Sequence, residues 1–147
     1  MKSTLKPGLK RKFSFAVPEN KTVPHLYPEA PSFKAMPEVF ATGFMVGLFE
    51  WVCTELLAEH LDAGEGSLGT HVDFSHDAAT PPGMTVTVDA EVIEVEGPKV
   101  RFRVSGHDGI EKIGGGEHER FVVKWDKFNL RVAEKAKRAR TMAGADS

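Results

Sequence analysis

Residues 43–53 form an almost entirely apolar run in which Glu50 is the only charged residue. The run predicts a helix that is hydrophobic on nearly all sides, and helices of that kind are buried. Because an unpaired buried carboxylate is costly, Glu50 needs a partner or a ligand. Gly43, Gly47 and Thr54 lie on the helical rows beside Glu50 and leave room for a ligand to approach. The glycines could instead let the helix pack tightly on a sheet, with Glu50 in a structural hydrogen bond.

The length and composition favour one globular domain. The chain of 147 residues is long enough for one core and short for two. A net charge of −2 gives no general attraction to nucleic acid or membranes. The N-terminal residues lack the apolar region of a signal peptide, and no apolar stretch reaches the roughly 20 residues of a membrane span. The single cysteine, Cys53, is expected to be a buried core residue. We therefore expect a cytoplasmic protein.

The chain begins with one strand, a loop and the apolar helix. Residues 11–17 alternate between polar and apolar as a strand does. Residues 18–37 contain five prolines and are expected to form an ordered loop or lid. The helix is predicted to run from about Pro37 or Thr42 to Leu61, where the turn residues 62–66 end it.

Four strand-like segments follow the helix. In residues 68–76, alternation places one set of side chains on the face toward the helix: Leu68, Thr70, Val72, Phe74 and His76. Residues 84–92 and 100–104 alternate in the same way, and Asp108-Gly109 is a hairpin signal before a last strand over 110–125. The glycines at 114–116 predict a flexible part of that hairpin. Residues 1–130 are expected to form the domain and residues 131–147 a basic C-terminal helix or tail.

This order of elements predicts an α+β protein. A nearly all-apolar helix of about 20 residues needs cover on several sides, and a five-stranded antiparallel sheet wrapped around it supplies that cover. Such an arrangement, a long central helix wrapped by one sheet, is the hotdog architecture. A single sheet leaves one side of the helix and one sheet edge open, so we expect at least a homodimer, with the sheets joined edge to edge.

Glu50 and His76 are the strongest candidates for chemistry. Strand parity puts His76 on the face toward the helix that carries Glu50, and together they would form a general acid/base pair. Thr42 lies at the start of the helix, where its hydroxyl could cap the helix or meet a substrate carbonyl. Gly69 could let a ligand reach the strand backbone, or mark a bulge. The histidines lack metal-binding spacings, and His118 is expected at an exposed strand end.

Several blocks of the sequence resemble one known family. Residues 37–51 (Pro-Glu-Val-Phe-Ala-Thr-Gly-Phe-Met-Val-Gly-Leu-Phe-Glu-Trp) resemble the fluoroacetyl-CoA thioesterases of the hotdog fold. Residues 64–70, 75–76 with 79–83, and 107–109 with 116–120 contribute further matches in order and spacing, and the resemblance spans about residues 12–130. It implies that the family's catalytic threonine, glutamate and histidine fall on Thr42, Glu50 and His76. Its substrate-contacting glycine and arginine fall on Gly69 and Arg120.

The resemblance has one departure, in the lid. The family's best-known member closes its acyl pocket with phenylalanines, whereas here Phe33 is present and Met36 takes the second place. Methionine is apolar and more adaptable, so thioesterase chemistry is expected to survive while strict selectivity for a fluorinated acyl group is open.

The expected function is hydrolysis of a short acyl-CoA, with fluoroacetyl-CoA as a candidate, to free acid and CoA. No cofactor is expected, because CoA belongs to the substrate. The main alternative is a non-catalytic module that binds acyl-CoA. A hotdog enoyl-CoA hydratase is less favoured, because those enzymes carry their acid and histidine close together on one segment and this chain does not.

Overall fold

A computed structural model describes residues 1–145 as one antiparallel sheet and three α-helices. The strands are β1 (Lys10–Ala16), β2 (Glu65–His76), β3 (Thr85–Glu96), β4 (Lys99–His107) and β5 (Lys112–Lys124), and the helices are α1 (Pro31–Lys34), α2 (Thr42–Ala58) and α3 (Trp125–Ala145). The five strands lie in the order β1-β3-β4-β5-β2, and every pairing is antiparallel. The predicted five-stranded antiparallel sheet is therefore confirmed, and β1 and β2 form its free edges.

Helix α2 packs against the sheet through its apolar side. Met45, Phe49 and Leu57 are fully buried, and they pack with the inward-facing side chains of the strands. Inward side chains alternate along β3 and β4, which buries Val86, Val88, Ala90, Val92, Val100, Phe102 and Val104. This alternation is what a strand with one covered face requires.

The other side of α2 is open in the single chain. Thr42, Gly43 and Gly47 are exposed, and Trp51 is 46% exposed. This open side agrees with the prediction that a single sheet leaves one side of the helix uncovered, so one protomer buries only the side of α2 that faces the sheet.

A bulge in β2 corrects the predicted facing of that strand. The register against β5 shifts between Gly69 and His71, so Thr70 is the extra residue. Because one extra residue reverses the parity, Gly69 lies opposite the inward-facing Arg120 while Leu68 lies opposite the exposed Phe121. Leu68 and Thr70 therefore do not share the inward face with the later residues of the strand.

Beyond the bulge, Val72, Phe74 and His76 share the inward face as predicted, since they lie opposite His118, Gly116 and Gly114. Val72 is nevertheless 46% exposed, because β2 is an edge strand that the helix covers only in part.

The glycines at 114–116 are part of the sheet rather than a flexible hairpin. They lie within β5 between its two neighbours, β2 and β4. A Cβ at Gly115 would lie 2.7 Å from the carbonyl oxygen of Val104, and Cβ atoms at Gly114 and Gly116 would collide with the carbonyls of Ser75 and Asp73. Close approach of the neighbouring backbones explains these glycines.

The C-terminal segment is helical from Trp125, earlier than predicted. Trp125 begins α3 by donating its backbone N–H to the Gly64 carbonyl, and its indole covers Gly66 so closely that no Cβ fits there. Residues 126–144 of α3 are exposed apart from Phe128. The last two residues of the predicted segment 131–147 lie outside the described residues.

Candidate active site

Glu50 is paired with an arginine on the sheet. Its Oε1 atom lies 3.2 Å from NH1 of Arg120 and 3.9 Å from Nε2 of His118. The Glu50 side chain is 39% exposed, whereas the Arg120 side chain is 8% exposed. A nearly buried guanidinium therefore holds a carboxylate that solvent can still reach, which satisfies the predicted need for a partner.

Arg120 is itself fixed by strand β2. Its Nε donates to the Ser67 hydroxyl at 2.8 Å, and NH2 donates to the Ser67 carbonyl at 3.1 Å. NH1 contacts both Glu50 and His118 Nε2, the latter at 3.1 Å. A guanidinium has five N–H groups, so these contacts leave one for a ligand. Arg120 comes from β5 and Ser67 from β2, and the pairing of these strands sets the position of the guanidinium.

Gly69 sits directly beneath the Glu50 carboxylate. A Cβ at this position would lie 2.5 Å from Glu50 Oε1 and 3.4 Å from Arg120 NH1. The bulge after Gly69 turns this residue toward the helix. The expectation that Gly69 marks a bulge is confirmed, and its missing side chain makes room for the Glu50 carboxylate, while access of a ligand to the strand backbone stays a prediction.

Thr42 and His76 form a second pair near the start of α2. The Thr42 hydroxyl lies 2.8 Å from Nδ1 of His76. Thr42 is the first helical residue and does not cap the helix; Ala41 occupies the cap position. Partial burial lowers the pKa of His76 below its ordinary value, although the Ala78 backbone and Asp77 oppose the shift. His76 Nε2 is buried and has no partner in hydrogen-bonding geometry among the described residues.

The start of α2 also offers backbone donors. No side chain among the described residues caps this helix, and Met45 N–H to the Ala41 carbonyl is its first-turn bond. The N–H groups at a helix start carry positive potential that favours an anion. Thr42 and His76 therefore stand where a developing oxyanion would be stabilised.

The structure does not bring Glu50 into contact with His76. Within residues 1–145, Glu50 pairs with Arg120 and His118, and His76 bonds to Thr42. Glu50 and Thr42 are eight residues apart on α2, about 12 Å along a helix axis. One protomer thus carries two polar clusters on its helix, and the predicted direct pair of Glu50 and His76 is absent from it.

The loop before α2 carries the two predicted lid residues. Phe33 lies in α1 and packs with Tyr27, the ring centroids being 6.1 Å apart. Met36 is 46% exposed. Leu26 touches the position where a Gly43 Cβ would be, at 3.0 Å. The loop therefore rests on the start of α2, beside Thr42.

His118 is the site residue that the sequence prediction misplaced. It was expected at an exposed strand end, yet its side chain is 0% exposed and it contacts both Arg120 and Glu50. Side chains alternate along β5, so residues 118 and 120 lie on the same face of the sheet. An inward Arg120 therefore implies an inward His118, and this was the sequence signal that could have located it. Ser67 was also missed as a site residue, because the bulge reverses the alternation along β2 from which the inward face was predicted.

No group of three or more His, Cys, Asp or Glu side chains in residues 1–145 could hold a metal ion. None of the helices in that range has the length and hydropathy needed to span a membrane.

Comparison with known proteins identifies relatives of this fold and site. The family model described as "FlK: Fluoroacetyl-CoA-specific thioesterase" matches residues 17–126. A fluoroacetyl-CoA thioesterase of Streptantibioticus cattleyicolor is 55% identical over 135 residues, which are 92% of this chain and 97% of the relative.

Solved structures agree in fold. A phenylalanine-to-alanine variant of the fluoroacetyl-CoA-specific thioesterase FlK, in complex with fluoroacetate and CoA, superposes with a TM-score of 0.83 at 56% identity and covers 84% of this chain and 99% of its own. A thioesterase superfamily member from Thermus thermophilus has a TM-score of 0.84 at 26% identity, covering 95% of this chain and 98% of its own.

The fold and these matches define a hotdog-fold thioester hydrolase. The chain belongs to the fluoroacetyl-CoA-specific thioesterase family.

The contact between Gly69 and Glu50 leads to a first prediction. In Gly69→Ala the new Cβ would displace the Glu50 carboxylate, and a displacement of about 1 Å can cost on the order of 100-fold in rate. We expect kcat/KM for acyl-CoA hydrolysis to fall by about 10-fold or more, with thermal stability nearly unchanged. Thr70→Ala, an exposed change at the next residue, is the control and should leave kcat/KM within about 2-fold. Unaltered kinetics in Gly69→Ala would contradict the geometry.

Proposed function

We propose that this protein hydrolyses a short acyl-CoA thioester, with fluoroacetyl-CoA as a candidate substrate, to a free acid and CoA. The observation that carries the proposal is the solvent-accessible Glu50 carboxylate held at 3.2 Å by the nearly buried Arg120. An apolar ligand pocket has no need of a fixed carboxylate, which disfavours the non-catalytic alternative. A fluoroacetyl-CoA thioesterase is 55% identical to this chain, which supports the choice of substrate class.

Glu50 is the proposed reacting group. As a nucleophile, its carboxylate would add to the thioester carbonyl and expel the CoA thiolate, and water would then cleave the resulting anhydride. As a base, it would take a proton from water as the water oxygen attacks the carbonyl and the C–S bond breaks. In both routes the thiolate leaves as CoA and the acid is released. Arg120 holds Glu50 in place along either route.

Thr42 and His76 are proposed to act on the carbonyl and the leaving group. The Thr42 hydroxyl and the first-turn N–H groups of α2 would bind the developing oxyanion. His76, whose lowered pKa favours the neutral ring at pH 7, can exchange a proton with the Thr42 hydroxyl across their 2.8 Å contact. Gly69 and the remaining N–H of Arg120 would face the acyl end, and Phe33 with Met36 would cover it.

The two clusters are proposed to meet through a homodimer. The open side of α2 and the free edge of β2 are the surfaces that one protomer leaves uncovered. A second copy placed there would bring Glu50 of one protomer toward Thr42 and His76 of the other. We expect static light scattering to give about twice the 16.1 kDa chain mass. A monomeric enzyme that is fully active would contradict this arrangement.

The proposed domain organisation and location follow from the same features. Residues 1–130 would form the catalytic domain, and residues 131–147 would be an appendage to it. Cys53 is buried and free, which suits a reducing compartment such as the cytoplasm. No cofactor is proposed, since the groups named above suffice for hydrolysis.

Replacement of Glu50 tests the central role. Glu50→Gln keeps the size of the side chain and a hydrogen-bond acceptor for Arg120 while removing the charge. We expect kcat for thiol release from acetyl-CoA and fluoroacetyl-CoA to fall by about 100-fold or more, with thermal unfolding close to that of the wild type. Glu55→Gln, an exposed glutamate on the same helix, is the control. Equal turnover by both variants would refute the proposed function.

Met36 leads to a prediction about acyl selectivity. Methionine adapts to several acyl shapes because it is flexible, whereas phenylalanine is rigid. We expect Met36→Phe to raise the ratio of kcat/KM for fluoroacetyl-CoA over butyryl-CoA by about 3-fold or more. Lys34→Ala, an exposed change in the same loop, should leave the ratio unaltered. An unaltered ratio in Met36→Phe would show that Met36 does not cover the acyl group.

A further inference from the structure

His118 is a buried titratable group to which the proposed chemistry assigns no role. It lies on β5, two residues before Arg120, and its side chain is 0% exposed. The rings of Phe74 and Phe102 flank it, with centroids 6.0 and 6.4 Å away. An apolar residue would fill this place at lower cost unless the imidazole nitrogens were needed.

The contacts of His118 assign the position of its proton. Nδ1 lies 2.7 Å from the carbonyl oxygen of His71, which only accepts hydrogen bonds, so Nδ1 carries a hydrogen. Burial lowers the pKa of His118, and the Arg120 guanidinium adds to that effect, against the opposing influences of the His71 carbonyl, Glu50 and Glu119. The ring is therefore neutral at pH 7, and Nε2 is an acceptor.

This acceptor directs Arg120 toward Glu50. NH1 of Arg120 has two hydrogens; one points to His118 Nε2 at 3.1 Å and the other to Glu50 Oε1 at 3.2 Å. Ser67 binds the other edge of the guanidinium. Because His118 Nε2 and Ser67 hold the guanidinium in a fixed orientation, the second hydrogen on NH1 points at the Glu50 carboxylate.

The β2 bulge supports the same chain of contacts. His71 follows the bulge and supplies the carbonyl that fixes the tautomer of His118, while Gly69 precedes it and makes room for Glu50. The bulge in β2 thus positions both His71, which binds His118, and Gly69, which makes room for Glu50.

We propose that His118, as the neutral Nδ1–H tautomer, is a positioning residue that orients Arg120 and through it the Glu50 carboxylate. His118 has no need to touch the substrate, since it lies behind Arg120. The inference rests on the proposed role of Glu50 in the hydrolysis.

Two matched substitutions test the proposal. In His118→Gln the side-chain oxygen can take the place of Nε2 and accept from Arg120, while the bond to His71 is weakened. In His118→Asn the amide can take the place of Nδ1 and donate to His71, while Arg120 loses its acceptor. His118→Gln loses a neutral hydrogen bond to the His71 carbonyl and His118→Asn a charge-assisted one from Arg120, so the thermal unfolding of both variants is measured beside kcat.

We expect kcat for thiol release to fall on the order of 10- to 100-fold in His118→Asn, with KM nearly unaltered, and to stay within about 3-fold of the wild type in His118→Gln. Equal kcat values in the two variants would overturn the proposal, whether both are active or both inactive. A loss confined to KM in His118→Asn would also overturn it. The role of Glu50 is tested separately by Glu50→Gln, so the two failures can be told apart.

The wild-type protein provides a measurement that does not depend on the activity of the variants. Nitrogen-15 NMR of the histidine side chains should show a protonated Nδ1 and an unprotonated Nε2 for His118 at pH 7. The opposite tautomer, or a doubly protonated ring, would overturn the proposal. His118→Gln identifies the His118 resonances by their disappearance.

Discussion

The Arg120 guanidinium reaches from strand β5 to the central helix, where it holds the Glu50 carboxylate at 3.2 Å. A carboxylate on an almost wholly apolar helix needs such a partner, because the helix offers no cation and the one nearby hydroxyl, that of Thr54, donates to the Glu50 backbone carbonyl. Ser67 and His118 bind other N–H groups of Arg120 and so orient its guanidinium toward Glu50. Ser67 and Gly69 face the helix because of the bulge in β2. The contacts that β2 and β5 make at the site therefore converge on the Glu50–Arg120 ion pair.

The same ion pair gives the site its chemical character. Arg120 is nearly buried and donates four hydrogen bonds to protein groups. Its main effect is therefore on Glu50, and one of its N–H groups is left for a ligand. Glu50 keeps a solvent-accessible side, which a reacting group requires. The Thr42–His76 pair lies further along the helix, beside the uncapped helix start. One protomer thus carries the proposed catalytic groups in two places, which is why we propose that two protomers complete the site.

Much of this arrangement could be predicted from the sequence. The apolar run around Glu50 and the alternating segments after residue 65 determine a helix on an antiparallel sheet, since each element has one hydrophobic face to cover. The resemblance to a thioesterase family singled out Arg120, which periodicity alone does not. Gly69 suggested a bulge in β2 as one of two readings, but the sequence does not decide between them or show that Thr70 is the extra residue. Regular alternation was therefore assumed along β2, which hid Ser67, and the charged residues around His118 masked its burial.

The most direct test of this account is a crystal structure of the protein with CoA and acetate, the products of acetyl-CoA hydrolysis. The account predicts that the carboxyl carbon of acetate lies about 3–4 Å from a carboxylate oxygen of Glu50, the distance at which reacting atoms meet. It also predicts that Arg120 still contacts Glu50 and His118 in that complex. Acetate bound away from Glu50, or Arg120 turned from Glu50 to the ligand, would contradict the account.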